Sequence, residues 1–390
     1  MASPRLPVPS LAVVALLLLA LCGQGARARP PPPLHGVRPL AFDEGYTQIF
    51  GSANLALLRG GRRVRLTLDE TTVSTEHGAV SFFFSLPDFL AAACLPLMNV
   101  VNPPATAPVL LVFLLSDSDA GAGFASQDLF LHGFFSAAIK LPADYAAGVV
   151  VAFYLSNGDV YEKTHDELDF EFLGNVRGRE WRVQTNVYGN GSTHAGREER
   201  YDLPFDPTDD FHHYSILWTS QRIIFYVDET PIREVVRAPA MGAAFPSKPM
   251  SLYATIWDGS AWATLGGRYR VNYKYAPFAA DFADLLIRAC AVDPAADPRS
   301  AATCAAGGGA ADLLLEPLAG EQRAAMAAFR RAHTSYSYCH DRRRYPVALA
   351  ECAAGQRLLP ARMFGPDGMK RHRRRRGGAG GRRGAQDDVM

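Results

Sequence analysis

The chain has 390 residues, with 40 Lys and Arg against 39 Asp and Glu for a net charge of +1. That length holds one large domain plus an appendage, and the charge balance calls for no polyanionic partner such as a nucleic acid. In chain order, Arg5 precedes an apolar run at residues 11–21, and Ala26-Arg27-Ala28 offers a small-x-small cleavage site. Residues 1–28 therefore read as a secretory signal peptide cut after Ala28. The run is short for a membrane span and a proline-rich stretch follows it at once, so no membrane anchor is expected. Of six cysteines, Cys22 leaves with the leader, and the five others enter an oxidising compartment.

After LTLD at residues 66–69 comes a stretch, 73–120, with three consecutive Phe at 82–84, Cys94, an apolar run at 108–115 and scattered prolines. It has neither a period of two nor of 3.6, and Asp88 and the prolines break any transmembrane reading. Beyond it, short β-type runs at 149–156, 182–188, 213–219, 222–227, 250–257 and 269–275 alternate with Gly, Pro, Asn and Asp, the rhythm of an all-β sandwich. Residues 228–231 (DETP) read as a hairpin turn. Trp218 and Trp257 lie in apolar strands and are expected in the core, whereas Trp262 in a Gly-rich loop is placed to stack on a ligand. Of His212 and His213 one is expected to face inward, and no metal site is expected. Helical spacing occurs only at 320–333, with Ala324, Ala325, Met326 and Phe329 on one side and Arg323, Arg330 and Arg331 elsewhere.

The run HDELDFEFLG at residues 165–174 carries the most chemistry. Successive strand residues point to opposite faces, so Glu167, Asp169 and Glu171 share a face with His165, while Leu168, Phe170 and Phe172 anchor the other. Four residues set the two glutamate Cα atoms about 13 Å apart at about 3.3 Å each, and inward-leaning side chains can approach the ~5 Å that a retaining glycosidase requires. Asp169 between them pushes their proton affinities apart, since three neighbouring carboxylates cannot all ionise freely. A solvated acidic face or a calcium site is the bland alternative, disfavoured because aligned carboxylates on an aromatic strand must meet a partner or repel.

These residues resemble the plant xyloglucan endotransglucosylase/hydrolase family within glycoside hydrolase family sixteen, whose signature reads HDE[IL]DFEFLG. The likeness continues through residues 175–192, 205–218 and 262–269 and into the Cys-rich end of the chain. It implies an all-β, concanavalin A-like jelly-roll sandwich with a short disulfide-bonded C-terminal extension: a catalytic domain at 29–280, the extension at 281–355 and a basic tail at 356–390. By resemblance Glu167 is the nucleophile, Glu171 the general acid/base and Asp169 the carboxylate that orients Glu167. Sugar contacts are implied for Gln184, Thr185, Asn186, Gly196, Arg197, Glu198, Ala261, Trp262, Gly266 and Arg344, although relatives commonly carry Asp where Ala261 stands. The four late cysteines allow three pairings, and the family implies Cys290 with Cys304 and Cys339 with Cys352.

Against that family, residues 73–120 are foreign. Removing them joins two family motifs and removes the unpaired Cys94, so they read as a retained intron or recent insertion that opens a hairpin between 66–69 and 124–130. The sequon Asn190-Gly191-Ser192 marks a glycan site, and its position resembles the subgroup with long C-terminal tails, whose members are mostly transferases. The basic run at 370–376 cannot bury a core; in a wall its polyanion would be acidic pectin. The expected protein is thus a secreted, monomeric apoplastic endotransglucosylase with xyloglucan donor and acceptor chains as partners and no cofactor. A xyloglucan endohydrolase and an inactive, lectin-like glucan binder are the competing classes.

Overall fold

A computed structural model describes residues 37–70, 121–293, 297, 299–305, 318–353 and 359–371. The leader, residues 73–120 and most of the basic tail lie outside the described residues. Among the described residues sixteen strands occur in chain order: β1 (Tyr46–Phe50), β2 (Leu55–Leu58), β3 (Arg63–Leu68), β4 (Gly121–Ser126), β5 (Leu129–Lys140), β6 (Val149–Ser156), β7 (Glu167–Leu173), β8 (Arg182–Tyr188), β9 (Glu199–Asp202), β10 (His212–Trp218), β11 (Arg222–Val227), β12 (Thr230–Val236), β13 (Ser251–Asp258), β14 (Phe278–Val292), β15 (Thr334–Asp341) and β16 (Asp367–Met369). They form a nine-stranded sheet ordered β1-β4-β13-β6-β7-β8-β9-β15-β16 and a seven-stranded sheet ordered β12-β11-β10-β5-β14-β3-β2.

Period-two patterning builds the layer between them. Leu168, Phe170 and Phe172 of β7 are fully buried, and the two Phe rings meet Tyr214 of β10 edge-on, with Phe170 also crossing Phe225 of β11. Each such ring contributes about 1.5–3 kcal/mol by leaving water. Because this inner face is fixed, the register of β7 is fixed, and every outer-face residue with it.

Five expectations change. Residues 269–275 form no strand; Tyr269 makes one isolated bridge to Thr264 and Tyr273–Tyr275 is a 3₁₀ turn. Trp218 is in the core, but Trp257 is half-buried against Trp262, because it sits at an outer-face position of β13. Neither His212 nor His213 is core: His212 stacks on Phe205 and meets Asp228, and His213 is exposed. The helix Gly320–His333 forms as expected but buries Met326 and Arg330, with Ala324 outward; a buried carboxylate, described below, draws Arg330 in. The turn before β12 is the pair Asp228-Glu229, with Asp228 at φ 51°.

The ends that flank residues 73–120 also differ from the hairpin expected. β3 belongs to the seven-stranded sheet and β4 to the nine-stranded one, so this connection crosses between the layers. Both disulfides, Cys290–Cys304 and Cys339–Cys352, are formed. The boundary placed at 280/281 falls inside β14, which pairs continuously with β3 from Phe278 to Ala283. Among the described residues beyond Val292 no separate sheet layer forms, since β15 and β16 extend the nine-stranded sheet beside β9.

Candidate active site

β7 lies between β6 and β8, and the register assembles the site row by row. Glu171 stands beside Ala152 and Gln184, Asp169 beside Tyr154 and Asn186, and Glu167 beside Ser156 and Tyr188. The rows extend to Tyr253 and Thr255 of β13 on one side and to Arg200 of β9, opposite Gln184, on the other. The three carboxylates therefore share the outer face of the nine-stranded sheet, with Tyr154 and Tyr253 stacked alongside at 5.1 Å.

Their surroundings differ. Ser156 Oγ donates to Glu167 Oε2 at 2.9 Å. Gln184 Nε2 donates to Glu171 Oε2 at 2.5 Å, and Arg200 Nε donates to Gln184 Oε1 at 2.7 Å. Burial pushes Glu171 up to about 7, with the Gln184 hydrogen bond pulling back and Glu198 and Glu167 adding repulsion. Burial, then repulsion from Glu167, Glu171 and Glu198, drives Asp169 well above the carboxylate range. Burial also raises Glu167, but His165 and Ser156 work against it. The strip titrates as a unit. Glu167 is the member whose partners favour the anion, and Glu171 is poised to carry a proton near neutrality. Such a division is the one that a nucleophile and an acid working side by side require.

Other expected residues fall into two groups. Glu198 and Arg344 meet at 2.6 Å beside Gly196, where an added Cβ would come within 2.4 Å of Glu198 Oε1 and 2.7 Å of Arg344 Nη2. Tyr345 donates its hydroxyl to the Gly196 carbonyl at 2.6 Å. Asn186 holds the same loop, its Oδ1 accepting from the Arg197 N–H at 2.8 Å. Ala261 is exposed on the turn before Trp262, and Gly266 is exposed at φ +65°. The side chains of Thr185 and Arg197 point away from the carboxylate face. Thr185 is on the inner face of β8, fully buried and bonded to Arg233 at 2.8 Å, because it alternates with Gln184 and Asn186. The Arg197 side chain turns inward to Glu351 at 2.5 Å. Asn190 is exposed at φ 54°, its N–H donating to Asp166.

Sequence reasoning does not find Tyr154, Ser156, Tyr253 and Arg200. Alternation along 149–156 and 250–257 is the available signal, since it sets which side chains point outward; the strand order that brings them beside β7 is not written in it. Among the described residues no cluster of His, Cys, Asp and Glu could hold a metal ion.

Residues 95–275 match the model of the glycosyl hydrolases family 16, and residues 309–352 match the xyloglucan endo-transglycosylase (XET) C-terminus. Probable xyloglucan endotransglucosylase/hydrolase protein 28 of Arabidopsis thaliana is 53% identical over 80% of this chain and 79% of its own length. Protein 27 of the same plant is 53% identical over 82% and 81%. The chain belongs to the xyloglucan endotransglucosylase/hydrolase family. A prokaryotic β-1,3-1,4-glucanase (lichenase) structure is 22% identical over 64% of this chain and 96% of that one, with a TM-score of 0.42. The family's glycosyl-hydrolase part holds β7 with all three carboxylates, and its C-terminal part carries Arg330 and Arg344.

Proposed function

We propose that this protein is a retaining xyloglucan endotransglucosylase, secreted to the cell wall, which cuts the β-1,4-glucan backbone of one xyloglucan chain and joins it to another. The carrying observation is the row of Glu167, Asp169 and Glu171 on one face of β7, with Ser156 on the first and Gln184 on the last. Glu167 attacks the anomeric carbon while Glu171 gives its proton to the departing glycosidic oxygen, so the C–O bond breaks as a glycosyl ester forms. Asp169, between the two glutamates, supports Glu167 through the attack. Glu171, now ionised, takes the proton of an incoming hydroxyl, which displaces Glu167 and restores the β-linkage.

Transfer needs the acceptor held where the leaving chain sat. The wall on the Glu171 side supports this reading: Gln184 and Arg200 stand in its row, and Glu198 with Arg344 closes it from the extension. Trp262, tilted against Trp257 at 6.0 Å, offers an aromatic surface for the sugar chain. The glycan at Asn190, the monomeric state and the binding of acidic pectin by the tail belong to the same proposal.

Incubation with xyloglucan and a labelled xylogluco-oligosaccharide tests it. Label entering polymer without new reducing ends is expected; reducing ends alone mean a hydrolase, and neither product means a binding protein. Glu167→Ala should lose both products, with azide restoring turnover and inverting the anomeric centre.

A further inference from the structure

Resting on the assignment of Glu171 as acid/base, we propose that Arg200 is a positioning residue that locks the Gln184 amide so that its NH₂ group, and not its oxygen, faces Glu171. An amide can present either end, and nothing in Gln184 itself chooses between them. Arginine decides it: the guanidinium only donates, so the Gln184 atom that Arg200 Nε contacts at 2.7 Å must be the oxygen. The nitrogen is left to donate to Glu171 Oε2 at 2.5 Å. Arg200 is held in turn, its guanidinium 4.9 Å over the Tyr336 ring, and Tyr336 donates to Asp341 at 3.0 Å. Both aromatic ring and carboxylate come from β15, so the C-terminal segment sets the hydrogen bond of a carboxylate three strands away.

The chemical consequence lies in which oxygen holds the proton. With Oε2 engaged by a donor, the acidic proton belongs on Oε1, the oxygen left to face the leaving group. Once it has been delivered, the same N–H stabilises the new carboxylate. A flipped amide would present its oxygen instead, holding the proton on Oε2 and repelling the anion. The charged and titratable groups that bear on Glu171 are Glu167 and Asp169 of its own strand, Tyr154 of β6, Tyr188 of β8, and Glu198 and Arg200 before and within β9, with Arg344 balancing Glu198. Of these, Arg200 alone touches the amide that touches Glu171.

The test is the pH profile of kcat/KM for label transfer in Arg200→Met, Arg200→Lys and Gln184→Glu, with Glu171→Gln as reference. Losing the lock should shift the alkaline limb of the Arg200→Met profile upward by about one pH unit and lower its plateau about tenfold or more, as one pKa unit corresponds to about 1.4 kcal/mol. Arg200→Lys, which keeps a cation able to donate to the Gln184 oxygen, should lie between the two. Gln184→Glu, which puts an acceptor against Glu171, should move the limb further still. Arg200→Met with an unmoved limb and only a raised KM would overturn the proposal, making Arg200 a sugar contact. Unfolding of the variant is separated by circular dichroism, and a folded Arg200→Lys still reports. If Glu171→Gln retains turnover, the acid/base assignment fails by itself, whatever Arg200 does.

Discussion

Glu171 satisfies two demands that oppose one another. Burial holds its proton near neutrality, which catalysis needs, and the same burial makes its anion unwelcome in the folded chain. A carboxyl whose folded value is about 7 instead of its ordinary 4.5 contributes its full stability below about pH 4.5 and loses it as pH rises through 7. Glu171→Gln should therefore lower transfer by about 10²–10⁴-fold while raising the thermal midpoint at about pH 8 and leaving it nearly unchanged at about pH 4. Equal midpoint shifts at both pH values would show that the buried charge is not the cause. Ser156 gives a smaller, separable effect. Ser156→Ala removes one hydrogen bond to a charged group, about 1.5–3 kcal/mol, so formation of the glycosyl-enzyme should slow by about 10- to 100-fold in single-turnover measurements. At this scale the carboxylates were legible, because period two alone aligns them. Ser156 and Arg200 were not, because their relevance depends on which strands lie beside β7.

Three consecutive residues tie the catalytic sheet to the C-terminal segment. Arg197 pairs with Glu351, Glu198 with Arg344 and Glu199 with Arg330. The first and last pairs are buried, and the last is the most heavily bonded: Glu199 also accepts from Tyr201 at 2.6 Å and from Ser337 at 2.9 Å, and Arg233 lies 3.9 Å away. Burial alone would raise Glu199, yet the two guanidiniums hold it down to about 2. Its contribution to stability is thus present above the ordinary 4.5 and lost as pH falls through 2. Glu199→Ala should cost about 3–5 kcal/mol in urea unfolding, because it strands two buried cations. Arg330→Met should cost less, since Arg233 remains to meet Glu199. The helix that carries Arg330 was legible by its spacing, but the inward Arg was not, as an arginine on a helix normally reads as a solvent-facing residue. Only the carboxylate on β9, far away in sequence, explains it.

At the scale of the molecule, the alternating runs and punctuating turns were enough to indicate a sandwich, but not to say which sheet each strand enters. The crossing from β3 to β4 is the case in point. Sheets pack about 10 Å apart, and the four residues 69–72 can span about 13 Å when extended. A chain lacking residues 73–120 can therefore still pass from Leu68 to Gly121 without disturbing either strand. Such a chain should be secreted in higher yield and be more active than the full sequence, measured as label transfer per litre of culture; loss of activity on deletion would show that the segment belongs to the working protein. The strand order has another outcome, at the other end of the chain. The nine-stranded sheet now stops at β16, three residues long, a short border that offers little to another molecule. If the chain were cut after Val292, β9 would become the border instead, its backbone N–H and C=O groups open along one side with Glu199 stripped of Arg330. The truncated protein should self-associate through that rim, eluting as dimers and larger species in size-exclusion chromatography where the whole chain is expected to elute as a monomer; equal elution of the two would show that the C-terminal segment does not keep one copy from adding itself to the next.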